Sequence, residues 1–240
     1  MDKDIASQIE RAKELFQELE NSCNSDLASQ KVSDKTKNLT QEVLLKIRHL
    51  LDQSIYKFFE KNYLPNLSDS DKKSAKVYFP IVSKKEDLKS VLGRAKMSDL
   101  ETSHQSFYKF IDSIQPYNKD YLWLKYLADY SSEKHIRLTP QTRKEIKELR
   151  INSGGAGMAL GQGASIQIGH GAMIKIGNAT IPGGQNINVN NPAQFYGQGS
   201  QERITWVSFQ FENSNINVLQ LCKKSVGDGE KIIKKVFDFV

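Results

Sequence analysis

Glycine is distributed so unevenly along this chain of 240 residues that one architecture cannot serve both ends. Fourteen of the fifteen glycines follow residue 150, and twelve lie between Gly154 and Gly199. Glycine weakens helices and favours tight turns. Residues 151–200 are therefore expected to form turns and short strands, and the first 150 are left free to form helices. Charge changes at the same place, because Lys175 is the only charged side chain within 151–200. Fifty nearly uncharged residues are too many for a structureless loop in a compact protein, so this stretch is expected to fold. The class expected is α+β. A helical bundle over residues 1–150 precedes a small antiparallel, glycine-rich β region with a C-terminal helix over 151–240.

Apolar periodicity fills in the helical half. Ile5, Ile9, Ala12, Leu15, Phe16 and Leu19 recur at helical spacing, which predicts an amphipathic helix. The polar stretch 21–37 is expected to end or fray it. Thr40, followed by Gln41 and Glu42, reads as the N-cap of a second helix over 41–62. That helix carries Val43, Leu44, Ile47, Leu50, Leu51, Ile55 and Phe58, and Pro65 closes it. Residues 66–83 are expected to form a connection with Val77–Val82 as an apolar anchor, and shorter helices are expected at 84–96, 107–114 and 120–129. Pro140 is expected to open a last helix or turn through Arg150.

The glycine-rich half holds an internal echo. Ile166-Gln167-Ile168-Gly169 recurs as Ile174-Lys175-Ile176-Gly177 and, more faintly, as Ile187-Asn188-Val189-Asn190. Alternation of this kind predicts half-buried strands, and His170-Gly171 is the expected hairpin turn between the first two. Residues 203–211 alternate, with Ile204, Trp206, Phe209 and Phe211 expected to pack. A helix is expected from about Asn217, interrupted or bent at Gly227 and Gly229, and laid on the sheet.

Several chemistries are excluded by motif. There is no G-x-x-x-x-G-K-[ST] loop, no completed dinucleotide fingerprint and no G-x-S-x-G elbow. His49, His104, His135 and His170 never fall at metal-ligand spacing, so neither a metal nor a cofactor is expected. Cys23 and Cys222 form no disulfide framework, which points to a reducing cytoplasm. No stretch reaches the ~18 apolar residues of a membrane helix, and the charged N-terminus does not read as a signal peptide. The net charge is +6, with +4 in residues 1–150 and +2 in 151–240. Neither share is dense, but a weak attraction to RNA is consistent with it.

Four pieces of sequence occur in a recognisable order. Ile47-Arg48-His49-Leu50-Leu51-Asp52-Gln53 comes first, then Phe79-Pro80-Ile81, then Gln115-Pro116-Tyr117. Lys134-His135-Ile136-Arg137 follows Leu124–Leu127. Together they resemble a family of uncharacterised bacterial proteins over residues 40–140. Its members carry a Leu-Arg-x-x-Leu-Asp-His helix, a Phe-Pro-Ile segment, a Gln-Pro-Tyr turn and a Lys-His-Arg loop. More distantly, Arg48 on its helix is similar to the signature of HEPN-type ribonucleases, in which a histidine stands five positions after the arginine. The resemblance implies metal-free RNA chemistry. Histidine takes the proton of a 2′-hydroxyl, and arginine stabilises the charge on the phosphate.

In this chain the fifth position is Gln53, which cannot serve as a base. His49 adjoins Arg48 but lies about 100° around the helix, so it reads as a poor substitute. His135 is the remaining base if the loop returns it to Arg48. The candidate catalytic residues are therefore Arg48 and His135, with Asp52, Gln53, Lys134 and Arg137 as candidate binding residues. An Arg48–Asp52 ion pair at i, i+4 is the purely structural alternative.

The function expected is that of a non-catalytic or degenerate HEPN-like interaction or RNA-binding protein. An active metal-independent ribonuclease of a toxin or phage-defence system is the alternative. RNA and a second copy of the chain are the expected partners. A nucleotide module using the glycine loops ranks last, because no loop carries a lysine suited to phosphate.

Overall fold

Two long helices open the chain and set the frame for everything that follows. The computed structural model describes residues 2–133, 135–143, 148–161, 163–189, 191–203 and 205–240. Helix α1 spans Lys3–Ser29 and α2 spans Asp34–Asn62. The polar stretch between them does not fray. Asp26 accepts hydrogen bonds from the Ser33 amide at 2.7 Å and its hydroxyl at 2.9 Å, and Ser33 caps α2 by accepting from the Thr36 amide. Ser22 and Thr36 share a buried hydrogen bond at 2.8 Å. Helix α2 therefore starts seven residues before the start expected from Thr40. Thr40 is buried inside α2 and donates to the Thr36 carbonyl at 2.7 Å. A side-chain cap supplied from outside the apolar repeat moved the boundary.

Short helices follow: α3 (Asp69–Ser74), α4 (Lys85–Arg94), α5 (Leu100–Ser103), α6 (Gln105–Ser113) and α7 (Leu122–Ser131). The chain ends in α8 (Val218–Phe237), capped by the Asn217 side chain accepting from the Gln220 amide at 2.9 Å. Gly227 and Gly229 neither interrupt nor end α8. A β-carbon at Gly229 would lie 2.9 Å from the Ile47 Cγ2, so glycine there lets α8 and α2 approach closely. Among the described residues α2 is central, packing on α1, α7 and α8. Its Leu44, Leu50, Leu51 and Ile55 are fully buried.

The strands are β1 (Leu138–Arg143), β2 (Glu148–Ser153), β3 (Ala156–Gly161), β4 (Ser165–Gln167) and β5 (Met173–Ile176). They continue with β6 (Ala179–Pro182), β7 (Asn186–Asn188), β8 (Tyr196–Gly197), β9 (Ser200–Arg203) and β10 (Thr205–Phe211). The protein is thus α+β, with long N-terminal helices, small antiparallel sheets and a C-terminal helix. Pro140 opens no helix; it lies within β1, and β2 occupies 148–153. The expected hairpin across His170-Gly171 does not form. The first echo, β4, pairs instead with the third, setting Ile166 opposite Ile187. The second echo, β5, pairs with β6, setting Ile174 opposite Ile181. Equivalent alternation makes these strands interchangeable locally, and loop closure selects the partners. Ile204 and the Trp206 side chain lie outside the described residues.

The compact units do not follow a single cut at residue 150. One comprises Met1–Thr139 with Phe209–Val240, the other Pro140–Ser208. Paired strands β1 and β10 carry the chain across both divisions. Helix α8 therefore belongs to the helical unit, where it packs on α1, α2 and α7, and not to the strand unit expected for it. Its stripe of Val218, Leu221, Val226, Ile232, Ile233 and Val236 is buried there. In the strand unit a separate core gathers Leu149, Ile151, Leu160, Ile168, Ile176, Ile181 and Ile187. Gly177 sits in the left-handed region at φ 54°, and a β-carbon on it would fall 1.8 Å from the Ser153 carbonyl oxygen. Ser153 also accepts from the Asn178 amide at 2.9 Å and donates to the Gln198 carbonyl, pinning that turn.

Candidate functional site

Among the described residues the extended segment 79–82 has no strand partner, so side chains must satisfy its backbone. Asp52, on α2, accepts from the Phe79 amide at 2.8 Å. Arg48, one turn earlier, donates to the Phe79 carbonyl at 3.2 Å. Gln115 is fully buried; it donates to the Pro80 and Ile111 carbonyls, both at 3.0 Å, and accepts from the Val82 amide at 2.9 Å. Three of the four motif pieces named above thus converge on one latch. Their side chains hold the Phe-Pro-Ile segment against α2 and the turn after α6.

The latched segment forms one wall of a cleft of about 490 Å³. Arg48, His49 and Asp52 line it from α2, Phe79 from the segment, Lys76 and Tyr78 from the residues just before it, Arg94 from α4 and Ser131 from α7. Arg48 pairs with Asp52 at 3.0 Å, the two side chains being 19% and 21% exposed. Burial lowers the affinity of the Arg48 guanidinium for its proton, and the Asp52 charge only partly restores it. Burial likewise pushes the Asp52 carboxyl up, opposed by Arg48 and the Phe79 amide. The pair is structural as much as chemical. One nitrogen of Arg48, Nη1, is buried without a hydrogen-bond partner.

Lys76 and Arg94 differ from that pair. Both are exposed, and neither makes an ion pair among the described residues. Neighbouring Lys96 and Lys85 are held by Asp71 at 2.8 Å and Asp112 at 3.1 Å. The Lys76 amide donates to the Arg94 carbonyl at 3.0 Å, so the two cations leave adjoining points of the wall. Tyr78, also on the lining, is 60% exposed.

The expected candidates divide accordingly. Arg48 and Asp52 share the cleft. Gln53 is exposed on α2 and does not line it. His135 is exposed and does not line it either, so the loop does not return a base to Arg48. Arg137 instead pairs with Glu212 at 3.4 Å. Lys134 lies outside the described residues. His49, set aside on helical geometry, does line the cleft, because the cleft is wide enough to be touched by adjacent positions of α2. Lys76, Tyr78 and Arg94 belong to no motif; the sequence shows only Lys76 two residues before Tyr78 in a connecting segment, with Arg94 at the end of a later helix.

Among the described residues no group of His, Cys, Asp or Glu could hold a metal, and no helix is long and apolar enough to cross a membrane. The chain matches no family model, no curated protein and no solved structure.

Proposed function

We propose that this protein binds RNA without cleaving it, through the cleft beside Arg48, and that it is a degenerate relative of HEPN-type ribonucleases. The observation that carries the reading is the pair of unmatched cations, Lys76 and Arg94, on a concave surface that also exposes an aromatic ring. Cations without partners attract phosphate, and an exposed ring offers a base a stacking face. The catalytic half of the constellation is weak. Arg48 is engaged by Asp52 and Phe79, Gln53 faces away, and His135 is elsewhere.

Fluorescence anisotropy with a labelled single-stranded oligoribonucleotide tests the binding. Affinity should fall steeply with salt, and Lys76→Gln with Arg94→Gln should weaken it about tenfold or more. Binding unchanged in the double variant would discard this cleft as the site.

One observation favours a second reading. His49 lines the same cleft as Arg48, so a metal-independent ribonuclease is the alternative. In that case the 2′-oxygen loses its proton to His49 and attacks phosphorus. The bond to the 5′-oxygen breaks, and that oxygen takes a proton from water. Cleavage of RNA in EDTA that disappears with His49→Ala would replace the first reading by the second.

A further inference from the structure

Resting on the RNA-binding reading, we infer that the cleft recognises a terminal nucleotide carrying a phosphate monoester, and not the internal phosphodiesters of a strand.

Size is the first argument. A surface that tracks single-stranded nucleic acid covers roughly 4–16 nucleotides, whereas pockets of ~300–1,000 Å³ enclose one small ligand. At about 490 Å³ the cleft is in the second class. It holds one nucleotide.

Charge is the second. Arg48 is matched by Asp52, so the uncompensated cations on the lining are Lys76 and Arg94. Two positive charges from adjoining wall positions suit a phosphate monoester, which carries about −1.5 to −2 at neutral pH. An internal diester carries one negative charge and must continue as chain on both sides. Lysine supplies a point charge and arginine a planar fork, a combination that engages two or three oxygens of one terminal phosphate.

The apolar lining is the third. Leu45, Val91 and Ala128 give the cleft apolar surface, and Tyr78, also on the lining, is exposed. The base of a terminal nucleotide is free to stack on one face because it has a neighbour on one side only.

The test uses the full chain and one internally labelled ten-residue oligoribonucleotide in three forms: hydroxyl at both ends, phosphate at the 5′ end, and phosphate at the 3′ end. Adenosine monophosphate is the unlabelled competitor, and all titrations contain EDTA. One phosphorylated form should bind about tenfold more tightly than the hydroxyl form. That advantage should vanish in Lys76→Gln and in Arg94→Gln, both exposed positions whose replacement leaves the fold intact. Equal affinity for all three forms overturns the terminal-phosphate inference and leaves RNA binding standing. No binding of any oligoribonucleotide, with adenosine monophosphate still bound through Lys76 and Arg94 in calorimetry, supports the monoester site and overturns RNA as its source. Failure of both ligands overturns the inference and the reading beneath it.

Discussion

The two compact units reach order by different means. In the helical unit, long apolar stripes bury one another, and the irregular backbone is gripped by side chains that arrive from distant positions. Asp52 and Gln115 do this for residues 79–82. Ion pairs cover its surface, as in Lys13–Glu230–Lys234 and Lys224–Asp228–Lys231. The strand unit has almost no charge to use between 151 and 200. It relies on short ladders and on turns that only a residue without a β-carbon can make. Glycine serves both units in opposite ways: at Gly229 it lets two helices approach, and at Gly177 it lets the chain reverse beside Ser153.

The largest effect should separate the units directly. Gly177→Ala forces a β-carbon into the Ser153 carbonyl at a left-handed position. It is expected to cost on the order of 3–5 kcal/mol. Hydrogen exchange should show lost protection of the β2, β3, β5 and β6 amides while α1, α2 and α8 stay protected. Equal loss in both units would break the comparison by showing one cooperative body.

Gln115→Leu comes next. It leaves the Val82 amide and the Pro80 carbonyl without their partners, at a cost of about 2–3 kcal/mol. Urea unfolding of the helical signal would measure it, and the cleft should lose its ligand in parallel because its wall is no longer held. A variant that loses stability but keeps the Val82 amide protected would contradict the latch.

Glu230 sharpens the electrostatic side. Burial pushes its carboxyl up, but hydrogen bonds from Lys234 and Lys13 outweigh burial and hold it below its ordinary value. The folded state therefore binds its proton less readily than the unfolded state. The contribution is present above the ordinary glutamate range and is lost as pH falls through the lowered folded value. Glu230→Gln should remove up to about 1 kcal/mol at neutral pH. It should also flatten the acid limb of the stability curve; a curve as steep as that of the parent would exclude the assignment.

The smallest effect has the opposite sign. Gly227 is exposed on α8, and a β-carbon there meets nothing within 4 Å. Gly227→Ala should stabilise the helical unit by about 0.5–1 kcal/mol, raising its melting temperature slightly. A loss of stability would mean that α8 needs glycine there for a reason other than space.

Composition and periodicity determined the fold class, the helical character of the first half and the strands of the second. These follow from local physics: apolar residues at 3.6 or 2 spacing, and glycines where side chains would clash. Helix boundaries were less legible. Thr40 had the chemistry of a cap, yet Ser33 performs it, because Asp26 on the preceding helix fixes Ser33 in place. Strand pairing was not legible at all, since Ile166, Ile174 and Ile187 offer equivalent registers and only the closed loops choose among them. Likewise α8 had an apolar stripe that fits a sheet or a helix; Gly229 opposite Ile47 assigns it to the helices.

The site divides along the same line. Arg48 and Asp52 were visible because four residues on one helix are always neighbours. Lys76, Tyr78 and Arg94 were not, because they meet only after residues 79–82 are drawn onto α2 and the Lys76 amide finds the Arg94 carbonyl. Sequence settles what is near within a turn or a strand. The cleft draws its lining from Leu45 to Ser132, and only the packing of the chain brings such distant positions to a few ångströms.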